Sequence, residues 1–181
     1  GNTTALTINR KALTITASND SKTYGATKTY GAGSSSFTSS GLVNSETIGS
    51  VTVTDTNSGG LNTAAAGGTY ALTPSLATGG TFSTSNYDIT YTPGTVTVNK
   101  ATLTVTAADK SRVYGDSNPS LTYGITGYVN SENATSAGVT GDPTISTTAT
   151  AASSVNTYTI TSAANNLAAA NYQFTYVNGT L

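Results

Sequence analysis

The sequence predicts a mainly β protein, organised as two tandem β-rich repeat domains in an elongated rod. Apolar residues alternate with threonine at period two in ALTIT (12–16) and SVTVT (50–54), as on the two faces of a pleated strand. Glycine pairs at 59–60, 67–68 and 79–80 mark turns between such stretches. The same series of motifs then occurs a second time, which is the signature of a repeat architecture.

The repeat consists of blocks that occur in the same order in both halves of the chain. The offset between matched blocks stays between 85 and 90 residues, so the two copies differ mainly in the lengths of their loops. The matched pairs are KALTITASNDSKTYG (11–25) with KATLTVTAADKSRVYG (100–115), GLVNSE (41–46) with GYVNSE (127–132), TYALT (69–73) with TYTIT (157–161), and NYDITYTPGTV (86–96) with NYQFTYVNGTL (171–181).

The same alignment gives the boundaries of the copies. Residues 1–9 are predicted to be the terminal strand of a preceding repeat, because their LTIN matches the VTVN that ends the first copy. Residues 10–98 then form the first repeat, and residues 99–181 form the second, whose last strand is truncated. No linker rich in glycine, proline or serine interrupts the joint at 95–107, which favours a stiff connection and an elongated rod.

The topology within each copy is expected to contain about six short strands. A β-grasp-like sheet packed under one short helical turn is the first expectation, and an immunoglobulin-like sandwich is the alternative. The helical turn is expected within GLVNSETIGS (41–50) and SENATSAG (131–138).

Eleven tyrosines supply apolar area that the sparse aliphatic residues do not. The tyrosines of the NYxxTY blocks share one face of their strands and are predicted to belong to the cores. Two others each precede a glycine at the same place in the repeat and are predicted to pack against turns. The structural signature of the repeat is therefore Tyr24, Gly25, Tyr87, Tyr91, Tyr114, Gly115, Tyr172 and Tyr176.

Tyrosines that face a ligand are expected to be unique to one copy more often than core tyrosines. Tyr128 is unmatched, since Leu42 takes its place in the first copy. Tyr30 and Tyr123 match only if a gap is allowed. If the protein has a ligand site, we expect it at one or more of these three tyrosines, with a glycan as the ligand, whereas an aromatic platform for sugar rings is the alternative to a core role for the strand tyrosines.

The composition leaves little room for catalysis or metal binding. The chain has no histidine and no cysteine, which removes the commonest general base, the commonest transition-metal ligand and thiolate chemistry. Asp55–Gly59 begins like a calcium loop, but the eight acidic residues of the chain are too dispersed to gather about six to eight oxygen ligands. We expect no catalytic residue, no cofactor and no metal site. The net charge of −1 offers no field for nucleic acid, and no apolar run suits a membrane span.

An acidic residue recurs at the end of the VNSE motif, as Glu46 and Glu132. One interpretation is a carboxylate that promotes a crosslink between an asparagine and Lys11 or Lys100. The favoured interpretation is a turn that the asparagine of the motif caps by bonding to the backbone.

The ordered motifs KATLTVTA, VYGDSNPSLTYGITGYVNSE, NTYTIT and NYQFTYVNGTL resemble the MBG repeat. This "mostly beta, glycine-rich" module occurs in tandem in large bacterial surface and secreted adhesins of the filamentous-haemagglutinin kind. The resemblance covers nearly the whole chain, although Ala26-Thr27-Lys28 replaces the DxNP turn in the first copy. The resemblance implies a stalk role and export, and it implies no catalytic residues.

We therefore expect a non-catalytic stalk or spacer that projects the adhesive region of a large bacterial adhesin. Its partners would be neighbouring repeats of the same chain, with host or matrix glycans reached through the parent adhesin, and the fragment itself would be a monomer. No nucleic-acid binding and no direct membrane insertion are expected, and the expected location is extracellular or at the bacterial surface. The alternative is a glycan- or surface-binding module that uses exposed tyrosine, threonine and asparagine side chains.

Overall fold

The computed structural model describes residues 5–181, and the chain divides into two compact units. The first unit contains the chain up to Lys22 and residues Ala26–Val98. The second unit contains Asn99–Leu181 together with Thr23–Gly25, a short segment that belongs in sequence to the first copy. The chain therefore passes between the units three times, after residues 22, 25 and 98.

The described residues form thirteen strands and one 3-10 turn, which confirms the predicted mainly β fold. The strands are β1 (Lys11–Ala17), β2 (Asp20–Thr23), β3 (Phe37–Ser40), β4 (Ile48–Asp55), β5 (Thr69–Gly80), β6 (Tyr87–Thr92), β7 (Gly94–Asn99), β8 (Ala101–Ala107), β9 (Tyr123–Thr126), β10 (Thr144–Thr147), β11 (Thr159–Ala163), β12 (Tyr172–Val177) and β13 (Gly179–Thr180). The 3-10 turn is Thr84–Asn86.

The strands of the first unit form two sheets. The first sheet has the order β3-β1-β6, in which β1 is antiparallel to β3 and parallel to β6. Leu13 on β1 lies opposite Ile89 on β6, and Ile15 lies opposite Tyr91. The second sheet has the order β2-β7-β5-β4, in which β5 pairs antiparallel with both β4 and β7.

The second unit repeats this arrangement with one strand fewer in its second sheet. In its first sheet, β8 is antiparallel to β9 and parallel to β12, so that Leu103 lies opposite Phe174. Its second sheet has the antiparallel order β10-β11-β13. The two copies of the sequence therefore specify the same mixed first sheet, in which a parallel strand pair includes the NYxxTY block.

Each core forms where the apolar residues of the alternating strands point inward. Burial alternates along β1 and β8, because successive side chains of a strand point to opposite faces, and the threonines between the buried residues are exposed or half-buried. Burying one leucine or isoleucine side chain contributes about 1.5–3 kcal/mol. The almost completely buried residues include Leu13, Ile15, Val51, Leu72 and Val96 in the first unit and Leu103, Val105, Ile160 and Tyr172 in the second.

The topology differs from a single sheet under a helical turn. Each unit has two sheets, and the 3-10 turn at Thr84–Asn86 is the only helical element within residues 5–181. In the segment 41–50, Asn44 and Ser45 have positive φ, which a right-handed helix does not accommodate. In the segment 131–138, the Ala137 N–H donates to the Asn133 carbonyl oxygen at 2.8 Å, which closes a single α-turn that does not continue as a helix. The parallel pairs also depart from an immunoglobulin-like sandwich, whose sheets are antiparallel.

The predicted terminal strand at residues 1–9 is not formed over residues 5–9, where Leu6 and Ile8 are exposed. A strand requires a neighbour to pair with, and this segment pairs with none of the described strands. Residues 1–4 of that prediction lie outside the described residues, and the boundaries at 10–98 and 99–181 stay predictions. Within residues 5–181, no helix has the length and apolar character that crossing a membrane requires.

Candidate functional site: the Glu132 cluster

The VNSE motif forms the same tight turn in both units. Asn44 and Ser45 have φ values of 56° and 57°, and Asn130 and Ser131 have φ values of 55° and 58°. In each turn the glutamate N–H donates to the valine carbonyl oxygen at 3.0 Å. Two consecutive central residues with positive φ define a type I′ turn, in which asparagine is favoured. The backbone itself therefore closes the turn that the sequence predicted.

The turn of the second unit holds a buried tyrosine by its hydroxyl group. The Val129 N–H donates to the Tyr172 hydroxyl oxygen at 3.1 Å, and this hydroxyl donates to Glu132 Oε2. The Tyr172 side chain is only 1% exposed. A buried phenol needs such partners, because an unpaired polar group costs free energy in an apolar surrounding. The VNSE turn therefore supplies the donor and the acceptor that allow this tyrosine into the core.

The first unit contains the equivalent pair. The Val43 N–H donates to the Tyr87 hydroxyl oxygen at 3.2 Å, and Tyr87 donates to Glu46 Oε2. Tyr87 is also buried. The recurring glutamate of the motif thus accepts a hydrogen bond from a buried tyrosine hydroxyl group in both copies.

Tyr24 adds a second tyrosine to the carboxylate of the second unit. Its hydroxyl donates to Glu132 Oε1 at 2.6 Å, and its ring meets the Tyr172 ring edge to face, with the centroids 5.5 Å apart at 79°. The Tyr24 N–H donates to the Asn99 carbonyl oxygen at 2.9 Å, and the residue is 5% exposed. Both carboxylate oxygens of Glu132 therefore accept phenols. We call Tyr24, Tyr128, Val129, Glu132 and Tyr172 the Glu132 cluster.

Gly25 allows this close approach of Tyr24. Its φ is 90°, and a Cβ atom on it would lie 2.5 Å from Val129 Cγ2. Both the backbone conformation and the contact require glycine, because only glycine adopts such a φ without strain and without a side chain. The Tyr-Gly signature is therefore a matched pair, in which tyrosine bonds to Glu132 and glycine fits against Val129.

The hydrogen bonds of the cluster keep its tyrosines protonated. The bond to Glu132, followed by burial, raises the pKa of Tyr24. Burial, followed by the bond to Glu132, raises the pKa of Tyr172 to about 12. The bond to Glu46 likewise raises the pKa of Tyr87. Phenols with raised pKa values stay protonated at neutral pH, so these tyrosines act as hydrogen-bond donors to the two glutamates.

Tyr128 packs inside the cluster rather than facing a ligand. Its ring meets the Tyr172 ring edge to face at 6.1 Å, and its buried hydroxyl has no hydrogen-bond partner within residues 5–181. Burial raises its pKa. Leu42 occupies the matched position in the first copy. Both side chains fill apolar space, and the tyrosine adds an aromatic contact.

The three candidate tyrosines, Tyr30, Tyr123 and Tyr128, fall in different surroundings. Tyr30 belongs to the first unit and the other two to the second. The Tyr123 hydroxyl donates to Asp142 Oδ1 at 2.9 Å, and this bond raises the Tyr123 pKa. The sequence grouped these tyrosines because they lack clearly matched partners in the other copy, a criterion that carries no information about their surroundings.

Tyr30 lines an open groove of about 430 Å³ in the first unit. Its hydroxyl donates to Asp20 Oδ2 at 3.0 Å, and Lys28 forms an ion pair with the other oxygen of Asp20. Burial and the bond to Asp20 raise the pKa of Tyr30. Val53 and Leu72 form the apolar part of the lining. The groove thus combines an aromatic ring with polar groups that are already paired with one another.

The remaining signature residues fall into two groups. Tyr91 and Tyr176 are half-buried, and the Tyr91 hydroxyl oxygen accepts the Ala77 N–H at 2.9 Å, as expected for tyrosines at a core boundary. Tyr114 is 63% exposed, and a Cβ atom on Gly115 would meet nothing within 4 Å. Tyr24 is buried against the VNSE turn, whereas Tyr114 stays largely exposed and lines an open cleft beside the segment 153–158.

Two other groups that the sequence analysis considered take part in local hydrogen bonds. Asp55 accepts the Gly59 N–H at 2.8 Å and the Gly60 N–H at 2.7 Å, so its carboxylate closes its own loop. Lys100, one of the lysines considered for a crosslink, donates to the Ala169 carbonyl oxygen at 3.0 Å. Both groups therefore have structural tasks that the sequence motifs alone do not reveal.

The comparisons with known proteins agree with the repeated geometry. A family model of the MBG domain (YGX type) matches residues 13–97 and residues 103–181, and the chain belongs to this family as two tandem copies. This is a structural family, typically found in large surface proteins and not known as catalytic. No curated protein and no solved structure matches the chain.

Proposed function

We propose that the chain is a non-catalytic structural stalk, or spacer, of a large bacterial surface or secreted adhesin. The observation that carries the proposal is the membership of Thr23–Gly25 in the second unit, by which the chain passes between the units three times. A module that is completed by a short segment of the preceding copy suits a serial array of repeats, which is the organisation of a spacer.

The polar chemistry of the described residues supports a role without catalysis. Glu132 is occupied by two phenols, and Asp55 is occupied by two backbone amides. Within residues 5–181 no group of three or more acidic side chains is placed to hold a metal ion. These carboxylates stabilise the fold, and a module under mechanical tension requires a stable fold.

The proposal includes a location outside the cell or at the bacterial surface. Neighbouring repeats of the same polypeptide would be the direct partners, and host or matrix glycans would be bound by the distal part of the parent adhesin. Membership in a family typical of large surface proteins supports this location. Antibodies raised against the chain should label intact cells that produce the parent protein, and labelling only after lysis would contradict the location.

Single-molecule force spectroscopy tests the load-bearing role. When the 181-residue chain is pulled from its two ends, we expect two abrupt unfolding events. Each should release roughly 30 nm of chain, because about 85 residues extend by up to about 3.6 Å each. A chain that lengthens gradually, with no abrupt event, would not be a mechanical module.

A second candidate function, glycan binding, is favoured by the groove beside Tyr30. Sugar rings stack on tyrosine, and polar side chains around the ring select their hydroxyl groups. Binding to a glycan array should then be lost in Tyr30→Ala and retained in the matched control Tyr123→Ala, which alters the other unit. Absence of binding to any glycan by the unaltered chain would leave the stalk as the sole proposal.

A further inference from the structure

The glycines of the two Tyr-Gly pairs have nearly the same positive φ, but the two tyrosines have opposite environments. Gly25 and Gly115 have φ values of 90° and 91°. Tyr24 is 5% exposed and donates to Glu132, whereas Tyr114 is 63% exposed. The second pair therefore shares the positive glycine φ of the first pair, but within residues 5–181 Tyr114 donates to no carboxylate.

The two VNSE turns show the complementary difference. In the second unit, Glu132 accepts two tyrosines and Val129 is half-buried beneath Gly25. In the first unit, Glu46 accepts Tyr87 alone among the described residues, and Val43 is 39% exposed. The first turn therefore has the same shape and the same acceptor as the second, with its outer surface uncovered.

We propose that the Tyr-Gly pair is a docking element that joins each module to the next module of the same polypeptide. Tyr114 and Gly115 would dock on the VNSE turn of a following YGX-type module. The turn of Val43 and Glu46 would receive the Tyr-Gly pair of a preceding module. In each case tyrosine donates to the free glutamate oxygen, and glycine lies against the valine.

The partner we assign is a module of the same polypeptide because the observed contact is small. The Tyr24 N–H donates to the carbonyl oxygen of Asn99, the residue at which the second copy begins. Continuity of the chain thus brings the docking element close to the turn that receives it. A contact limited to one tyrosine and one glycine lies far below the roughly 1,000 Å² of a stable interface between separate proteins. A covalent connection supplies the effective concentration that such a contact needs.

This arrangement is directional and does not close on itself. Each module offers a Tyr-Gly pair and a VNSE turn, and the two surfaces differ, so the interface is heterologous and open. Every added module would bury one Tyr-Gly pair and expose another. The inference concerns how modules join, and it holds or fails independently of whether the array serves as a stalk.

A chain extended by one module tests the proposal. Leu181 aligns with Val96, so a second copy of residues 97–181 attached directly after Leu181 continues the repeat in phase. Tetranitromethane nitrates exposed tyrosines, and peptide mass mapping reports the rate at each position. We expect Tyr114 to react rapidly in the 181-residue chain and at least about 10-fold more slowly in the extended chain, as for a group protected by a closed contact. Equal rates at Tyr114 in the two chains would overturn the proposal.

Gly115→Ala provides the matched control. In the 181-residue chain the new Cβ meets open space, whereas in the extended chain it would meet the valine of the added VNSE turn, as calculated for Gly25. Tyr114 should therefore regain its rapid nitration in the extended Gly115→Ala chain, and Tyr24 should stay protected in all four chains. Continued protection of Tyr114 in that variant would contradict the docking geometry. Protection that appears in the unextended chain as its concentration rises would contradict the assignment to a module of the same polypeptide.

A second chain tests the receiving turn in case the first does not fold. Residues 10–99 placed directly before Arg10, in place of residues 1–9, add a module on the other side. Nuclear Overhauser contacts between the added Tyr24 ring and the Val43 methyl groups are expected. Their absence, with the added module folded, would overturn the proposal.

Discussion

The Tyr24 hydroxyl donates to Glu132 across 108 positions of sequence, at a distance of 2.6 Å. Tyr24 belongs to the first copy of the repeat, yet it is a member of the second compact unit. Its backbone neighbour Gly25 fits against Val129 because it has no side chain. This bond makes the stability of the second unit depend on a residue that belongs in sequence to the first copy.

Replacing Tyr24 by phenylalanine should destabilise the second unit by about 1–2 kcal/mol, because a hydrogen bond to a charged group is lost while the ring contact remains. The free energy of unfolding from urea titration measures the effect. The matched control is Tyr114→Phe, which alters an exposed ring and should change the stability by less than about 0.5 kcal/mol. Equal losses in the two variants would show that the bond to Glu132 contributes nothing.

Replacing Gly25 by alanine should cost more than the same change at Gly115. Both positions have φ near 90°, so both variants share the strain of a side chain in this conformation. Only at position 25 does the new Cβ also meet Val129, at 2.5 Å. We expect Gly25→Ala to be the more destabilising by about 1–3 kcal/mol, as for overpacking. Thermal unfolding of the two variants gives the comparison, and identical midpoints would be inconsistent with the contact.

The stability of the second unit should fall at alkaline pH because of Tyr172. Its pKa is raised from 10.0 to about 12 in the folded protein. A raised pKa gives a contribution that is fully present below pH 10 and is lost as the pH rises from about 10 to about 12. The slope in that window should approach about 1.4 kcal/mol per pH unit for this group.

Urea titrations at pH 8, 10, 11 and 12 measure this loss. The variant Tyr172→Phe should be less stable at pH 8 and should show a flatter profile between pH 10 and pH 12. The opposite result, a variant whose stability falls as steeply as that of the unaltered chain, would assign the alkaline loss to other tyrosines.

Replacing Ser131 by glycine should stabilise the second unit. Ser131 has a φ of 58° inside a type I′ turn, where glycine is the favoured residue at the second central position. Relief of left-handed strain should exceed the extra entropy of glycine in the unfolded chain, for a net gain of about 0.5–1 kcal/mol. Ser131→Ala is the control, since it keeps the strain and should give no gain. A lower melting temperature for the glycine variant would mean that the serine side chain has a task of its own.

The strands of this fold are readable from sequence because their signal is local. Alternation of apolar residues with threonine placed β1 and β8 correctly, and the repeat placed the second copy once the first was recognised. The parallel pairing of β1 with β6 was not predictable in the same way, because pairing joins segments far apart in the chain.

The residues of the candidate site were predictable from local motifs, but the contacts between them were not. The motifs identified Tyr24, Tyr172 and the recurring glutamate as parts of the repeat, but not that Glu132 accepts both tyrosines. The same Tyr-Gly motif is buried in one copy and exposed in the other, so its environment depends on what lies beyond the motif. The Tyr-Gly and VNSE motifs do recur together in each copy. That recurrence does not show that a tyrosine of one motif donates to the glutamate of the other, which only the structure reveals.

The boundaries of the sequence repeats and the boundaries of the compact units differ by one short segment. Residues Thr23–Gly25 are counted with one copy and packed with the other. A fragment that begins at Asn99 would contain every residue of the second copy and still lack Tyr24, one of the two tyrosines that donate to Glu132. Cutting such a protein at a repeat boundary therefore removes a buried segment from the compact unit that is kept. A fragment that also retains the preceding Tyr-Gly pair would contain the complete unit.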